Sequence, residues 1–554
     1  MEIDASHLPD GETLRADLCI VGSGPAGITV AHALLGSGLD VVVLEAGRRV
    51  RDRRLRAGGD GEVAEGSPHP PADMYRERRL GGTSTIWGGR CIPLDPIDLE
   101  ARPHVAEDGW PVPHRELAGF YPRALALCEA GEDDFGVEAL RRPEPFIDGF
   151  QPRSFDVGIE RYSPPTDFGR AHAPALAASE RVRLVLGAVC AELVPEPEAP
   201  RVAHARCVTL DGRTLRVAAR AFVVAAGGIE TVRLLGASRA RQADGMANSS
   251  GTLGRHYMCH VEGTVGAIRL SPPARAIAWG FGRTRDGVYA RQRLRLRAAE
   301  QRERRLLSTI FRLHHPNPMD PSHSDAVLST IYLAKRFILP EYRRKITSVE
   351  LLALSRPDRG RLAGRHLVNI LRGAPALARF LPPFLVRRYG AYRRIPYVAL
   401  RSPVGVYALD FNAEQAPNPL SRIELIGGAD RFGLPRFRVD WRRTDDDVRS
   451  VLETYRLLRE DLRASGVGDL DLDDAALREQ VAACGPVGGH HIGTARMSAN
   501  PRRGVVDGDG RAHDLHNLYL AGAAVFPTCG HANPTLTIVA LALRLAERLR
   551  ATLR

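Results

Sequence analysis

The chain has 554 residues, 44% hydrophobic and 26% charged, enough for a large core and more than one domain. The formal net charge is +12, yet only two residues are lysine, Lys335 and Lys345. No basic tail or recognition motif accompanies the arginines, which argues against nucleic-acid binding. Eight scattered cysteines without a CxxC spacing argue against a disulfide framework and against a zinc site, so no metal is expected.

The first residues show no charged stretch followed by an apolar segment and cleavage site, and no apolar run is long enough to span a bilayer. The expectation is a cytoplasmic protein. Residues 17–47 read as strand, glycine turn, helix, strand and acid. In Gly22-Ser23-Gly24-Pro25-Ala26-Gly27, Gly22 permits the tight turn and Gly24 lets a pyrophosphate approach the backbone at the helix N-terminus. Gly27 lets helix and strand pack closely, and Glu45 ends the second strand where a carboxylate would hold a ribose hydroxyl pair. An acid at that position suits an unphosphorylated adenosine ribose, hence FAD or NAD rather than NADP.

Residues 51–78 are polar and read as an excursion from the nucleotide fold. The glycines of 81–89, mixed with Thr83, Ser84, Thr85 and Trp87, suit a loop lying against a flat ligand or phosphates. Strand character runs through 182–226, with Asp211-Gly212 as a hairpin turn, and Ala225–Thr231 reads as strand end, glycine turn and helix start. Residues 270–400 are arginine-dense with apolar residues at helical spacing, as in Ala326–Phe337 and Leu367–Tyr389. They predict a helical insertion, broken at Pro382-Pro383, whose basic face is read as solvated or a subunit contact rather than membrane-bound. Strands are expected in 404–441, an amphipathic helix over 444–465 ending at Gly466, and a strand, glycine turn and helix in 517–554.

Two histidine-bearing motifs stand near the C-terminus, HHIGTARM at 490–497 and GHANPTLT at 530–537. Together with the N-terminal glycine turn and Glu45, GGTSTIW at 81–87, AAGGIET at 225–231 and EQAPNPLSR at 414–422, they make essentially the whole chain similar to the glucose–methanol–choline (GMC) oxidoreductases. The resemblance implies an α/β fold: a doubly wound, Rossmann-like FAD-binding domain (residues 1–148, 177–258 and 483–554) with an α+β substrate domain carrying an antiparallel sheet (149–176 and 259–482). It implies that His490 faces the flavin and the substrate carbon, that Asn533 holds the second catalytic position, and that Pro534 and Thr535 touch the flavin end. Gly82, Thr83, Ser84, Trp87, Gly522 and Ala523 are expected to join Gly22, Gly24, Gly27 and Glu45 at the cofactor.

The chemistry behind that assignment is alcohol oxidation. A neutral imidazole accepts the hydroxyl proton as hydride leaves the carbon, and an amide orients the oxygen without competing as a base. His491 and His531 are weaker candidates for the pocket, and His513 is read as structural. Where pyranose-oxidising relatives carry a flavin-linked histidine this chain has Ile86, so noncovalent FAD is expected; His104 has no motif to support a link. The His490/Asn533 pairing is similar to sugar-oxidising bacterial members, pointing to a sugar, glycoside or aminoglycoside as substrate, with dioxygen or another electron acceptor. Asp410 and Glu414 are candidate carboxylates for a cationic substrate. A lyase on the same fold, or oxidation of a non-sugar alcohol, is the alternative.

Overall fold

A computed structural model describes residues 1–52, 55, 61–271, 276–338, 356–402, 404–486 and 489–554. The nucleotide-turn strand Glu12–Val21 is central to an eight-stranded sheet of order 2–4, 182–186, 41–45, 12–21, 214–224, 202–209, 188–195. The first five run parallel and the last two form an antiparallel meander. Strand Thr214–Val224 is long enough to serve two neighbours on one side. Its first half meets the hairpin partner 202–209, and Phe222–Val224 pair in parallel with Leu518–Leu520. Strand Val41–Glu45 is buried at every position, as a strand covered on both faces must be. Helices Pro25–Ala33 and Thr535–Leu553 pack together beside this sheet, and their apolar residues belong to its core.

The second sheet is antiparallel, in the order 468–470, 261–270, 406–413, 309–314, 289–296, 155–162, 90–91. Helix Asp445–Ala464, begun by a reciprocal Thr444/Asp447 capping box, lays Tyr455 edge-on to Phe311 and Phe411 of that sheet. A third, small sheet joins 422–429, 435–440 and 61–63, so the polar excursion after the nucleotide turn ends in a strand.

Three expectations need correction. The stretch 270–400 is not uniformly helical: Tyr289–Leu296 and Thr309–His314 are interior strands of the antiparallel sheet, only the short helix Ala298–Glu303 lies between them, and the longer helices start at Ala326. The prolines do not break the later helix. The chain bends at Gly373, and Pro382 and Pro383 lie within helix Ala374–Leu385, which ends in a wide π-helical turn over Val386–Gly390. Helix Phe168–Ala178, placed with the substrate domain up to residue 176, packs instead on strand 182–186 of the parallel sheet, whereas Arg90–Cys91 pairs into the antiparallel one. Residues 339–355 of the insertion and residues 53–54 and 56–60 of the excursion lie outside the described residues.

Candidate active site

Between the two large sheets lies a cavity of about 540 Å³, the size of a small-molecule site. Its nucleotide end is built from backbone. Gly22 (φ +105°) makes the turn after the first strand, where a Cβ would sit 2.6 Å from the Ala225 carbonyl oxygen. Gly27 is not on the cavity wall; it packs against Gly22, where a Cβ would meet the Gly22 oxygen at 1.9 Å. Gly24, Gly227 and Gly522 all reach the cavity, and an added Cβ at any of them would meet nothing within 4 Å.

Three helices start at this wall, at Pro25, Gly228 and Thr535, and none has a side-chain cap. Their first-turn N–H groups and dipoles therefore present positive potential to the cavity, as an anionic diphosphate requires. Glu45 lines the same end. One of its carboxylate oxygens accepts from the Ser23 hydroxyl and N–H (2.6 and 3.1 Å) and the other from the Gly47 N–H (2.9 Å), so it also fixes the turn. Gly82, Thr83, Ser84, Ile86 and Trp87 form one side. The Ser84 hydroxyl is turned inward, donating to the Gly81 carbonyl (2.6 Å) and accepting from the Phe168 N–H (3.0 Å). The Trp87 indole donates to the Thr166 carbonyl (2.9 Å). This cradle of open glycines and uncapped helix starts fits a dinucleotide.

At the other end stand the C-terminal motif residues. His490 and Asn533 both line the cavity, with Asn533 Nδ2 3.1 Å from His490 Nε2. On the opposite edge of the imidazole, His490 Nδ1 is 2.7 Å from Nδ1 of His260, and the rings meet edge to face. The Glu262 carboxylate lies 3.9 Å from His490 Nδ1 and also lines the cavity. With the Asn533 amide donating to Nε2, His490 carries its proton on Nδ1, donates to His260, and leaves Nε2 unprotonated with its lone pair accepting from Asn533. Burial depresses the His260 pKa to about 3, and the neighbouring His490 adds to the effect, so His260 stays neutral when His490 takes a proton. His260, Glu262 and His490 lie within ligand distance of one cation, but the Nδ1–Nδ1 hydrogen bond already engages both histidines.

Sequence reasoning missed His260 and Glu262. The available signal was their spacing of two next to strand Val261–Leu270, which turns both toward one face.

The remaining candidates separate. His491 reaches the wall, but its Nδ1 is held 2.6 Å from the Tyr257 hydroxyl. Burial, with Arg76 and His69 nearby, keeps it well below the ordinary imidazole range. His531 is fully buried away from the cavity, between the Ser308 hydroxyl (2.8 Å) and the Arg293 guanidinium (3.1 Å). Glu414 is also fully buried, in a two-pronged pair with Arg102 (2.9 and 2.6 Å). Asp410 pairs with Arg312 at 2.9 Å. Burial opposes its ionisation, but Arg312 overcomes that and holds the carboxyl below the usual range. Neither carboxylate lines the cavity, because each is paired with an arginine, Asp410 with Arg312 of the sheet and Glu414 with Arg102 outside it; the wall there is Arg90, Tyr162, Glu262 and Tyr397. His513 contacts the Ser498 carbonyl, and His104 the Leu306 carbonyl, both away from the wall.

Comparison with known proteins bears on the family and the fold. A sequence model of the GMC oxidoreductase C-terminal domain matches residues 417–542, and one of an NAD(P)-binding Rossmann-like domain matches 20–69. The chain is 24% identical to paromamine 6'-oxidase of Streptomyces fradiae, over 96% of this chain and 90% of that one. It is also 24% identical to the fructose dehydrogenase large subunit of Gluconobacter japonicus, over 97% and 98%. Among solved structures, pyridoxine 4-oxidase from Mesorbium loti superposes with a TM-score of 0.52 at 17% identity, over 96% of this chain and 98% of that one, which shows a shared fold. Two matched domain models, full-length relatives and a shared fold converge: residues 417–542 match the GMC oxidoreductase model, residues 20–69 match a Rossmann-like dinucleotide module, and the chain is similar to a GMC-type oxidoreductase of Mycobacterium tuberculosis over 96% of its length at 27% identity.

Proposed function

We propose that this protein is an FAD-dependent oxidoreductase that oxidises a hydroxyl-bearing carbon of a sugar, glycoside or aminoglycoside to a carbonyl. The observation that carries this reading is the His490–Asn533 pair on the wall of a cavity whose far end is a dinucleotide cradle. The uncapped helix starts at Pro25, Gly228 and Thr535 would hold the diphosphate, Glu45 the ribose, and Pro534 the flavin end. Ile86 on the wall has no nucleophile, so FAD would be held without a covalent bond there. When bound, the flavin supplies the hydride acceptor.

The chain's own residues do the proton work. When the substrate hydroxyl oxygen replaces His490 as acceptor of the Asn533 amide, the freed His490 Nε2 lone pair accepts the hydroxyl proton while Asn533 orients the oxygen. His260 is a positioning residue: it fixes which His490 nitrogen is basic and, held neutral by burial, cannot drain the proton away. Glu262, 3.9 Å from His490 Nδ1, stabilises the imidazolium that results. The full-length relatives that act on paromamine and on fructose support a carbohydrate hydroxyl as the target.

The test is an anaerobic titration of the purified protein in the dark, with simple pyranoses, aryl glycosides and an aminoglycoside pseudodisaccharide added separately. Loss of the oxidised-flavin absorbance with one class establishes the reaction and its substrate. Readmitting air then separates an oxidase from a dehydrogenase. Persistent oxidised flavin with every carbohydrate overturns the substrate assignment.

A further inference from the structure

The helices over 356–390 are built the wrong way out for water. In helix Arg356–Arg372 the arginines Arg361, Arg365 and Arg372 are exposed, but two polar side chains, His366 and Asn369, face the protein. His366 is fully buried, 3.0 Å from the Ser329 hydroxyl and stacked 4.0 Å from Tyr332, and Asn369 donates to the Pro321 carbonyl at 2.9 Å. The apolar Leu367, Val368 and Leu371 face outward, Leu371 at 68% exposure. An ordinary surface helix has the reverse arrangement. Helix Ala374–Leu385 follows with one charged residue, Arg379, and no buried residue. Leu381, Leu385 and Val386 are exposed, and Phe380 stacks on Phe384 at 5.3 Å. Of twelve exposed large hydrophobic residues among the described ones, eight fall within 367–392, so this is one patch rather than surface scatter. Its charge is equally one-sided: residues 356–394 hold ten arginines against a single acid, Asp358.

From these two observations we infer that the 356–392 face docks on an anionic membrane surface, its leucines, valines and tyrosines entering the headgroup boundary and its arginines pairing with lipid phosphates. An outward apolar face bordered by arginine is the signature of an interfacial helix, and basic residues beside it favour anionic lipid. Pairing with a second copy of this chain would set two such arginine-rich faces against each other, an unfavourable contact. Among the described residues no helix is long and apolar enough to cross a membrane, so the protein would lie on the bilayer without spanning it. The patch runs on in sequence to Pro396 and Tyr397, which line the cavity, so a docked molecule would hold one cavity wall beside the lipid.

The test is co-sedimentation of the intact protein with vesicles of phosphatidylglycerol and phosphatidylethanolamine, and with phosphatidylcholine alone. Two variants accompany it: Leu381→Ser/Leu385→Ser/Val386→Ser, and Arg379→Gln/Arg387→Gln. None of these residues is in the catalytic site, so folding and solution activity should match the parent. The expected result is binding to the anionic vesicles only, weakened at least ten-fold in each variant and by raised salt. Parent protein that stays in the supernatant with anionic vesicles overturns the inference. So does a concentration-dependent dimer in sedimentation velocity that the leucine variant abolishes, which would make the face an interface between copies.

Discussion

At His490 a single proton position governs the site. Its two ring nitrogens have different partners, the Asn533 amide on one edge and the His260 imidazole on the other. Substituting His490 by Ala is expected to leave the flavin bound and lower its rate of reduction by substrate about 10²- to 10⁴-fold, the usual contribution of a positioned base. Reduction at the parent rate would reassign the base. His260→Ala is expected to retain FAD as well, but to lower the reduction rate and move its pH dependence, because the tautomer of His490 is no longer imposed. An unmoved pH profile would reduce His260 to a packing role. Glu45→Ala is expected to raise the dissociation constant for FAD with little effect on reduction of the bound fraction, as read by flavin fluorescence during titration.

Within elements, buried arginine decides what sequence showed and what it hid. The glycine turn and Glu45 were legible because backbone geometry demands those residue types in that order, whereas the two C-terminal motifs drew their roles from the family resemblance. The strand Tyr289–Leu296 was not, since Arg291, Arg293 and Arg295 alternate along it and read as a solvated face. In the structure Arg291 and Arg293 are buried and Arg295 is ion-paired. They meet the Leu313 carbonyl, His531, and the acids Asp95 and Asp156. The same pairing claims Glu414 and Asp410, the carboxylates expected for a cationic substrate. Glu414→Gln is therefore expected to leave Arg102 buried and unbalanced, costing about 3–5 kcal/mol in denaturant unfolding. Preference among bound substrates should be unchanged. His260 and Glu262 were missed because nothing in local sequence reveals which loop they meet across the cavity.

Taken as a whole, the molecule should be acid-sensitive near neutrality. Burial is the main cause that depresses His69 and His315 to about 4 and His260 to about 3, against about 6.5 for a free imidazole. Between roughly pH 6.5 and 4 the unfolded chain binds protons that the folded one refuses, so stability is lost as pH falls through that window. Asp447 acts in the opposite sense: burial raises its carboxyl to about 6, so the folded state holds that proton more tightly than the unfolded chain does. Three histidines outweigh one carboxyl, and the urea midpoint is expected to fall steadily from pH 7 to pH 5. A constant midpoint across that range would contradict the histidine assignment.

The pairing of Leu518–Leu520 with Phe222–Val224, and of the last helix with Pro25–Ala33, also carries a consequence for biosynthesis. A ribosome delivers the nucleotide turn early, but the strand beside its sheet, one of the three helix starts around the cavity, and Asn533 come in the final forty residues or so of this sequence. The nascent chain therefore lacks a finished cofactor pocket until residues 518–535 have been made, about 500 residues after the nucleotide turn, and flavin loading follows synthesis of both ends of the fold instead of seeding it.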